Sequence, residues 1–281
     1  MQQIYFPLFH PLLLLTSNGI MLRLGAWQMS AGKGVYRIDM NKRLNILVAN
    51  DDGIASPGLL RLANAAARLG DVWVAAPQGQ CSGMSQKITI AEEISVEKRN
   101  FPADVKAAYA IGGTPADCVK TAIKSLLPVK PDVVFSGINS GFNTGFDIAY
   151  SGTVGAAMEA LLNGVPAIAF SETHVGCREV TDMFLYEIAR ELIQRPLAGE
   201  IWNVNFPDCT LNEYKGILRD VKIEPHCFFE NFYNTAENEN GCALSPYAEL
   251  LDPERAEKGS DLWAVLHGYI AIGRVKNMLL G

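Results

Sequence analysis

The sequence predicts a doubly wound α/β fold, a mostly parallel sheet in a Rossmann-like three-layer arrangement with a small β-rich C-terminal appendage. Three observations predict it. From Leu44 onward, short apolar runs rich in β-branched and aromatic residues recur, each bounded by Asn, Asp, Gly or Pro, as strands buried on both faces of a parallel sheet require. Helical stretches fill the intervals, and such alternation folds into parallel strands joined by right-handed crossovers. Beyond Phe206 the helical signal fades.

The first strand is predicted at Leu44–Ala49. Ser56-Pro57 then sets a capping hydroxyl before a proline at the first helical position, and Leu59, Leu60, Leu62, Ala63 and Ala66 form an apolar face running on to Gly70. A second strand follows at Val72–Ala76. Residues 86–110 break the alternation: Ile88 and Ile90 keep period two before a polar connection, which predicts an antiparallel hairpin or excursion. Thr114-Pro115 opens a second helix, through Leu127. Further strands are predicted at Val133–Phe135, Val165–Phe170 and Ile201–Phe206, with a third helix over Thr153–Asn163 and a fourth over Arg178–Gln194; Gly164 is a natural left-handed cap for the third. Polar residues 230–246 separate two extended pieces, the second from Trp263 to Ile272, so residues 207–281 read as a C-terminal oligomerisation region.

The chain has 281 residues with 24 basic and 30 acidic side chains, a net charge of −6. That balance argues against a nucleic-acid polymer as partner. No apolar run approaches the length that spans a bilayer, so no membrane partner is expected. Residues 1–39 read as an appended N-terminal extension, outside the functional chain that begins at Met40. A secretory signal opens with positive charge, whereas the first basic residue here is Arg23, behind the apolar stretch. Six cysteines are scattered without metal-binding spacing, which fits reduced thiols in a cytoplasmic protein.

Chemistry concentrates at three strand ends. The first strand runs into Asn50-Asp51-Asp52-Gly53, at the carboxyl edge where open α/β sheets place ligands. Neighbouring residues on a strand point to opposite faces, so both carboxylates serve one site only if the chain turns at Gly53. Two readings stand: a turn with a helix-capping carboxylate, or a pair whose repulsion is relieved by a hard divalent cation such as Mg²⁺ or Mn²⁺. The second strand leads into a loop, Gln78 to Ser85, with two glycines and two serines. The third strand end is the densest, Ser136-Gly137-Ile138-Asn139-Ser140-Gly141-Phe142-Asn143-Thr144-Gly145, followed by Ser151-Gly152-Thr153 opening a helix. A helix start with free amides and hydroxyls suits phosphate. A Walker ending and a dinucleotide fingerprint are both missing. His174 follows a strand end, from which it could reach the mouth of the site, and the surface is the preferred reading.

These motifs, with Gly113-Thr114-Pro115-Ala116-Asp117-Cys118, Tyr150-Ser151-Gly152-Thr153-Val154, Asn203-Val204-Asn205-Phe206-Pro207 and Ser260-Asp261 before Gly268-Tyr269-Ile270, resemble the survival protein SurE family over about residues 42–275. The resemblance implies a metal-dependent 5′-nucleotidase acting on nucleoside monophosphates, with 3′-monophosphates and short polyphosphate as further substrates. Carried over by position, it implies metal ligands at Asp51, Asp52, Ser82 and Asn139 for one Mg²⁺ or Mn²⁺. It implies phosphate contacts at Asn143, Ser151, Gly152 and Thr153, and a catalytic part for Asp51 and Asp52. Gln78, Gly79 and the segment Pro225–Pro246 depart from the family pattern. A non-catalytic nucleotide sensor on the same fold is the alternative.

Overall fold

A computed structural model describes Ile38, residues 42–238 and residues 241–280, all within one compact unit, Lys33–Gly281. Apart from Ile38, the N-terminal extension expected at residues 1–39 lies outside the described residues. The helices are α1 (Pro57–Ala67), α2 (Pro115–Thr121), α3 (Gly152–Leu162), α4 (Glu179–Ile193) and α5 (Asp261–Leu266). The strands are β1 (Leu44–Ala49), β2 (Gly70–Pro77), β3 (Val96–Arg99), β4 (Ala107–Ile111), β5 (Val133–Ser140), β6 (Ala167–Glu172), β7 (Glu200–Asn205), β8 (Gly216–Val221), β9 (Phe229–Asn238), β10 (Gly241–Leu250) and β11 (Tyr269–Lys276).

Nine strands form one sheet in the order β3-β4-β2-β1-β5-β6-β7-β11-β8. The run from β4 to β7 is parallel, while β3 and β11 enter antiparallel to β4 and β7. Because β1 is followed by β2 on one side and neighbours β5 on the other, the crevice at its carboxyl end is a topological switch point. Both faces of the sheet are covered. Leu44, Ile46 and Val48 of β1 join α1 and α4 in one apolar layer, whereas Leu47 and Ala49 join α2 and α3 in the other. Alternate residues of a single strand thus feed two cores, which is why the strand reads as continuously apolar.

Helix starts follow the sequence with one exception. At Thr114 the hydroxyl accepts from the Asp117 amide while the Asp117 carboxylate accepts from the Thr114 amide, a reciprocal capping box. Ser151 caps α3 through the Val154 amide. Ser56, expected to cap α1, makes no such side-chain bond, and Pro57 alone marks that start. α3 is buried along nearly its whole length, packed between the sheet, α2 and the loop after β2.

Three expectations need correcting. Ile88 and Ile90 do not form a strand, and Ile90 is almost fully exposed; the antiparallel pair in that region is β3 with β4, and β4 also joins the parallel sheet. The segment 230–246 is no polar spacer. Residues 230–238 and 241–246 lie within the ten-residue strands β9 and β10, which among the described residues pair only with each other. The piece from Trp263 to Ile272 divides into α5 and β11, because Ser260 caps a short helix through the Trp263 amide. No helix among the described residues is long and apolar enough to cross a membrane.

Candidate functional site

The chain reverses immediately after β1. Asn50 closes the turn on itself, donating to the Gly53 carbonyl and accepting from the Gly53 amide, with Gly53 at φ +96°, a conformation other residues resist. This brings Asp51 and Asp52 to one mouth. Asn50 is therefore a turn residue, its side chain fully committed to backbone.

Asp51 is 2% exposed and sits against the start of α3. The Thr153 hydroxyl donates to its Oδ1 at 2.5 Å, and a Cβ on Gly152 would lie 2.8 Å from the Asp51 Cβ, so only glycine permits this approach. Burial pushes the Asp51 carboxyl up to about 6, and the Asp52 charge adds to the rise; the Thr153 hydroxyl and amide pull it down. Burial wins over the helix terminus here. Thr153 is itself fully buried, so the hydroxyl expected to face phosphate is turned instead to Asp51.

Asp52 is less buried, and its Oδ2 accepts the Ser140 amide at 3.0 Å. One residue earlier, the Asn139 amide donates to the Gly141 carbonyl at 2.8 Å, which leaves its oxygen as a free donor atom for a ligand. The loop after β2 closes the other side. The Cys81 amide donates to the Asp51 carbonyl, and the Ser85 amide and hydroxyl donate to the Tyr150 and Ala149 carbonyls. Gly155 makes room for it, since a Cβ there would lie 2.0 Å from the Ser85 carbonyl oxygen. Ser82, exposed, accepts from the Gln80 amide at 3.2 Å. The four expected ligand positions thus stand on the loops after β1 and β2 and at the end of β5, with the Cys81 and Ser140 amides tying both neighbours to the turn after β1.

Asn143 is placed differently. It is 5% exposed, its side chain donates to the Ser171 hydroxyl, its own amide donates to Asn205, and its carbonyl accepts from both Asn203 and Asn205. These bonds fix the glycine-rich loop to β6 and β7. At the helix start, the Ser151 oxygen accepts the capping bond from Val154, and Gly152 follows it against Asp51.

The family model for survival protein SurE matches residues 46–223, more than half of the chain. The chain belongs to the SurE family. The 5′-nucleotidase SurE of Chlamydia felis is 42% identical over 185 residues, 62% of this chain and 66% of that protein. The 5′-nucleotidase SurE of Desulfitobacterium hafniense is 38% identical over 230 residues, 82% of this chain and 89% of its own length. Among solved structures, the SurE protein from Aquifex aeolicus superposes with a TM-score of 0.69 at 34% identity, covering 83% of this chain and 93% of that one. All the expected site residues lie within the SurE match, whereas β9, β10 and β11 lie beyond it.

Sequence reasoning gave no role to the residues that hold the SurE loops in place: Ser140, Asn203 and Asn205 stood in its motifs without one, and Ser171 was not singled out. A signal was present in β7, where Asn203 and Asn205 alternate with apolar Trp202, Val204 and Phe206. Two amides on one face of a buried strand need partners, and the loop carbonyl of Asn143 supplies them.

Proposed function

We propose that this chain hydrolyses nucleoside 5′-monophosphates to nucleoside and phosphate with the help of one divalent cation, and that 3′-monophosphates and short polyphosphate are further substrates. What supports this most is the convergence of two carboxylates, an amide oxygen and a helix start at one switch point, in a family whose members at 38–42% identity are named 5′-nucleotidases.

The donor set fits a hard cation. Asp51 and Asp52 offer carboxylates, Ser82 a hydroxyl and Asn139 its free amide oxygen, all ligands of the kind Mg²⁺ and Mn²⁺ take. Burial and the Asp52 charge both weigh against the ionised Asp51 carboxyl, and a cation bound between the two carboxylates would offset that cost. No cluster of three His, Cys, Asp or Glu side chains that could hold a metal occurs among the described residues; in this reading Ser82 and Asn139 supply the further oxygens. When bound, the cation supplies charge stabilisation at the phosphoryl oxygens and acidifies water.

The chain's own residues do the remainder. Thr153 orients Asp51, and the Ser140 amide orients Asp52. One of these carboxylates accepts the proton of the attacking water. Ser151 and Gly152 offer a hydroxyl and an amide to the phosphate at the positive end of α3, while Asn143 and Thr153 serve it indirectly by holding their loops. We extend the reading to a cytoplasmic homodimer or homotetramer assembled through residues 207–281, in which β9 and β10 stand outside the main sheet with outer edges that pair with no other strand among the described residues.

The test is phosphate release from a panel of nucleoside monophosphates and polyphosphate, with EDTA, Mg²⁺ or Mn²⁺. Release from 5′-monophosphates that requires metal is expected. Tight nucleotide binding without release under every metal would establish the sensor instead.

A further inference from the structure

At the far end of β6, the chain turns back over the mouth. Glu172 pairs with Ser140 across β5 and β6, and two residues later the His174 ring meets the same serine, Nδ1 to Oγ at 2.8 Å. Ser140 is the residue whose amide holds Asp52 at 3.0 Å, and it follows Asn139 directly. The turn carrying His174 is clamped on both sides. Glu172 is 3% exposed and takes Arg61 from α1 and Arg178 from the start of α4; Arg178 also donates to the His174 carbonyl at 3.4 Å. On the other side the Thr173 hydroxyl donates to the Val175 carbonyl and the Cys177 amide donates to Asp208.

A hydrogen bond between an exposed imidazole and a half-exposed hydroxyl contributes little to folding. Here it joins the ends of β5 and β6 at the residue whose amide holds the Asp52 carboxylate of the turn after β1, directly beside Asn139. Outer partners of this kind orient the groups that bind a metal, and their loss commonly lowers metal affinity or activity about 10–100-fold.

We propose that His174 is a positioning residue of the metal site, acting through Ser140 to hold Asp52 and Asn139 in the arrangement that binds the cation. The inference rests on the function proposed above. It assigns a purpose to a histidine that sequence alone reads as surface, and it makes the Ser140 side chain, not only its amide, part of the site.

Direct Mn²⁺ binding, read from the signal of free Mn²⁺ by electron paramagnetic resonance in the absence of nucleotide, tests it without relying on turnover. His174→Ala and Ser140→Ala are each expected to weaken Mn²⁺ binding about tenfold, and the double variant no more than either alone, because both remove one bond. His174→Asn, whose amide reaches the Nδ1 position, is expected to restore most of the affinity, whereas His174→Gln is not. Thermal melting of each variant within a few degrees of the parent separates these losses from misfolding. Parent-like Mn²⁺ affinity in His174→Ala, additive losses in the double variant, or equal affinity in the Asn and Gln variants overturns the inference and leaves the proposed function standing. A parent protein that binds no Mn²⁺ and releases no phosphate overturns both.

Discussion

The two ends of the sheet are built on opposite plans. Around β1 and β5 the strands are parallel, both faces are covered, and three polar residues of the mouth are held by elements distant in sequence: Asp51 by α3, Asp52 by β5, Asn143 by β6 and β7. Around β11 and β8 the direction is mixed, and the chain makes a two-stranded ribbon that leaves the sheet. Bonds between distant segments make a site whose geometry depends on the whole fold. A local ribbon depends mainly on itself, and can change without disturbing the mouth.

The sharpest way to break the comparison is at Asp51. Asp51→Asn is expected to lower metal-dependent phosphate release by on the order of 10²–10³-fold or more. Its stability at pH 7 should equal or exceed the parent's, because the substitution removes a buried charge whose carboxyl is raised to about 6. Phosphate release and thermal melting on the same preparation check both halves. Loss of activity together with a large loss of stability would show that the carboxylate is structural.

Gly155→Ala probes the loop seat. Alanine raises helix propensity by about 1 kcal/mol, yet its methyl would lie 2.0 Å from the Ser85 carbonyl oxygen. The expected result is a fall of about 10–100-fold in phosphate release, since Ser82 moves with that loop. Unchanged turnover would mean that the Ser82–Ser85 loop does not shape the site.

At the other end, Asp261 carries the acid response. It accepts the amides of Gly145, Glu224 and Leu262, but burial outweighs them and raises its carboxyl to about 6. The folded form therefore holds a proton that the unfolded chain gives up near pH 4, so the penalty exists above pH 6 and is relieved as pH falls from 6 towards 4. Relative to Asp261→Asn, the parent should gain roughly 1–3 kcal/mol between pH 7 and pH 4.5, read from urea midpoints. A difference that is flat with pH would contradict the burial argument.

The smallest effect on catalysis is expected from the ribbon. The Leu251 amide donates to the Phe228 carbonyl at 2.8 Å, so residues 229–250 can be replaced by two glycines across a closed base. Phosphate release should stay within about threefold of the parent, because the site lies on other elements, while light scattering should report a lower mass if the ribbon joins protomers. A parent that is already monomeric would remove the oligomerisation reading.

These regions also differ in how far the sequence disclosed them. β1 was predicted to its exact ends, because an apolar run closed by Asn50 and Gly53 has no other comfortable conformation. The adjacent carboxylates and glycine-rich loops were equally visible. The ribbon was legible only as a β-rich C-terminal appendage and not strand by strand, since residues 233–237 and 241–245 are exposed and no buried face there imposes alternation, and residues such as Glu237 and Asn238 read as linker. α5 was hidden by its six-residue length. The Thr153–Asp51 and His174–Ser140 bonds join residues 102 and 34 apart, and no local pattern encodes such pairs.

α3 has no face on which to fray. Helices usually lose protection from their solvent side and their ends, but this one is enclosed on nearly every side, and its first turn is pinned to Asp51. Amide exchange along α3 should then proceed only through global opening. On that basis activity and structure would be lost together in denaturant, with no inactive folded form preceding the transition, and any treatment that silences the enzyme while leaving α3 protected must act on the loops above it.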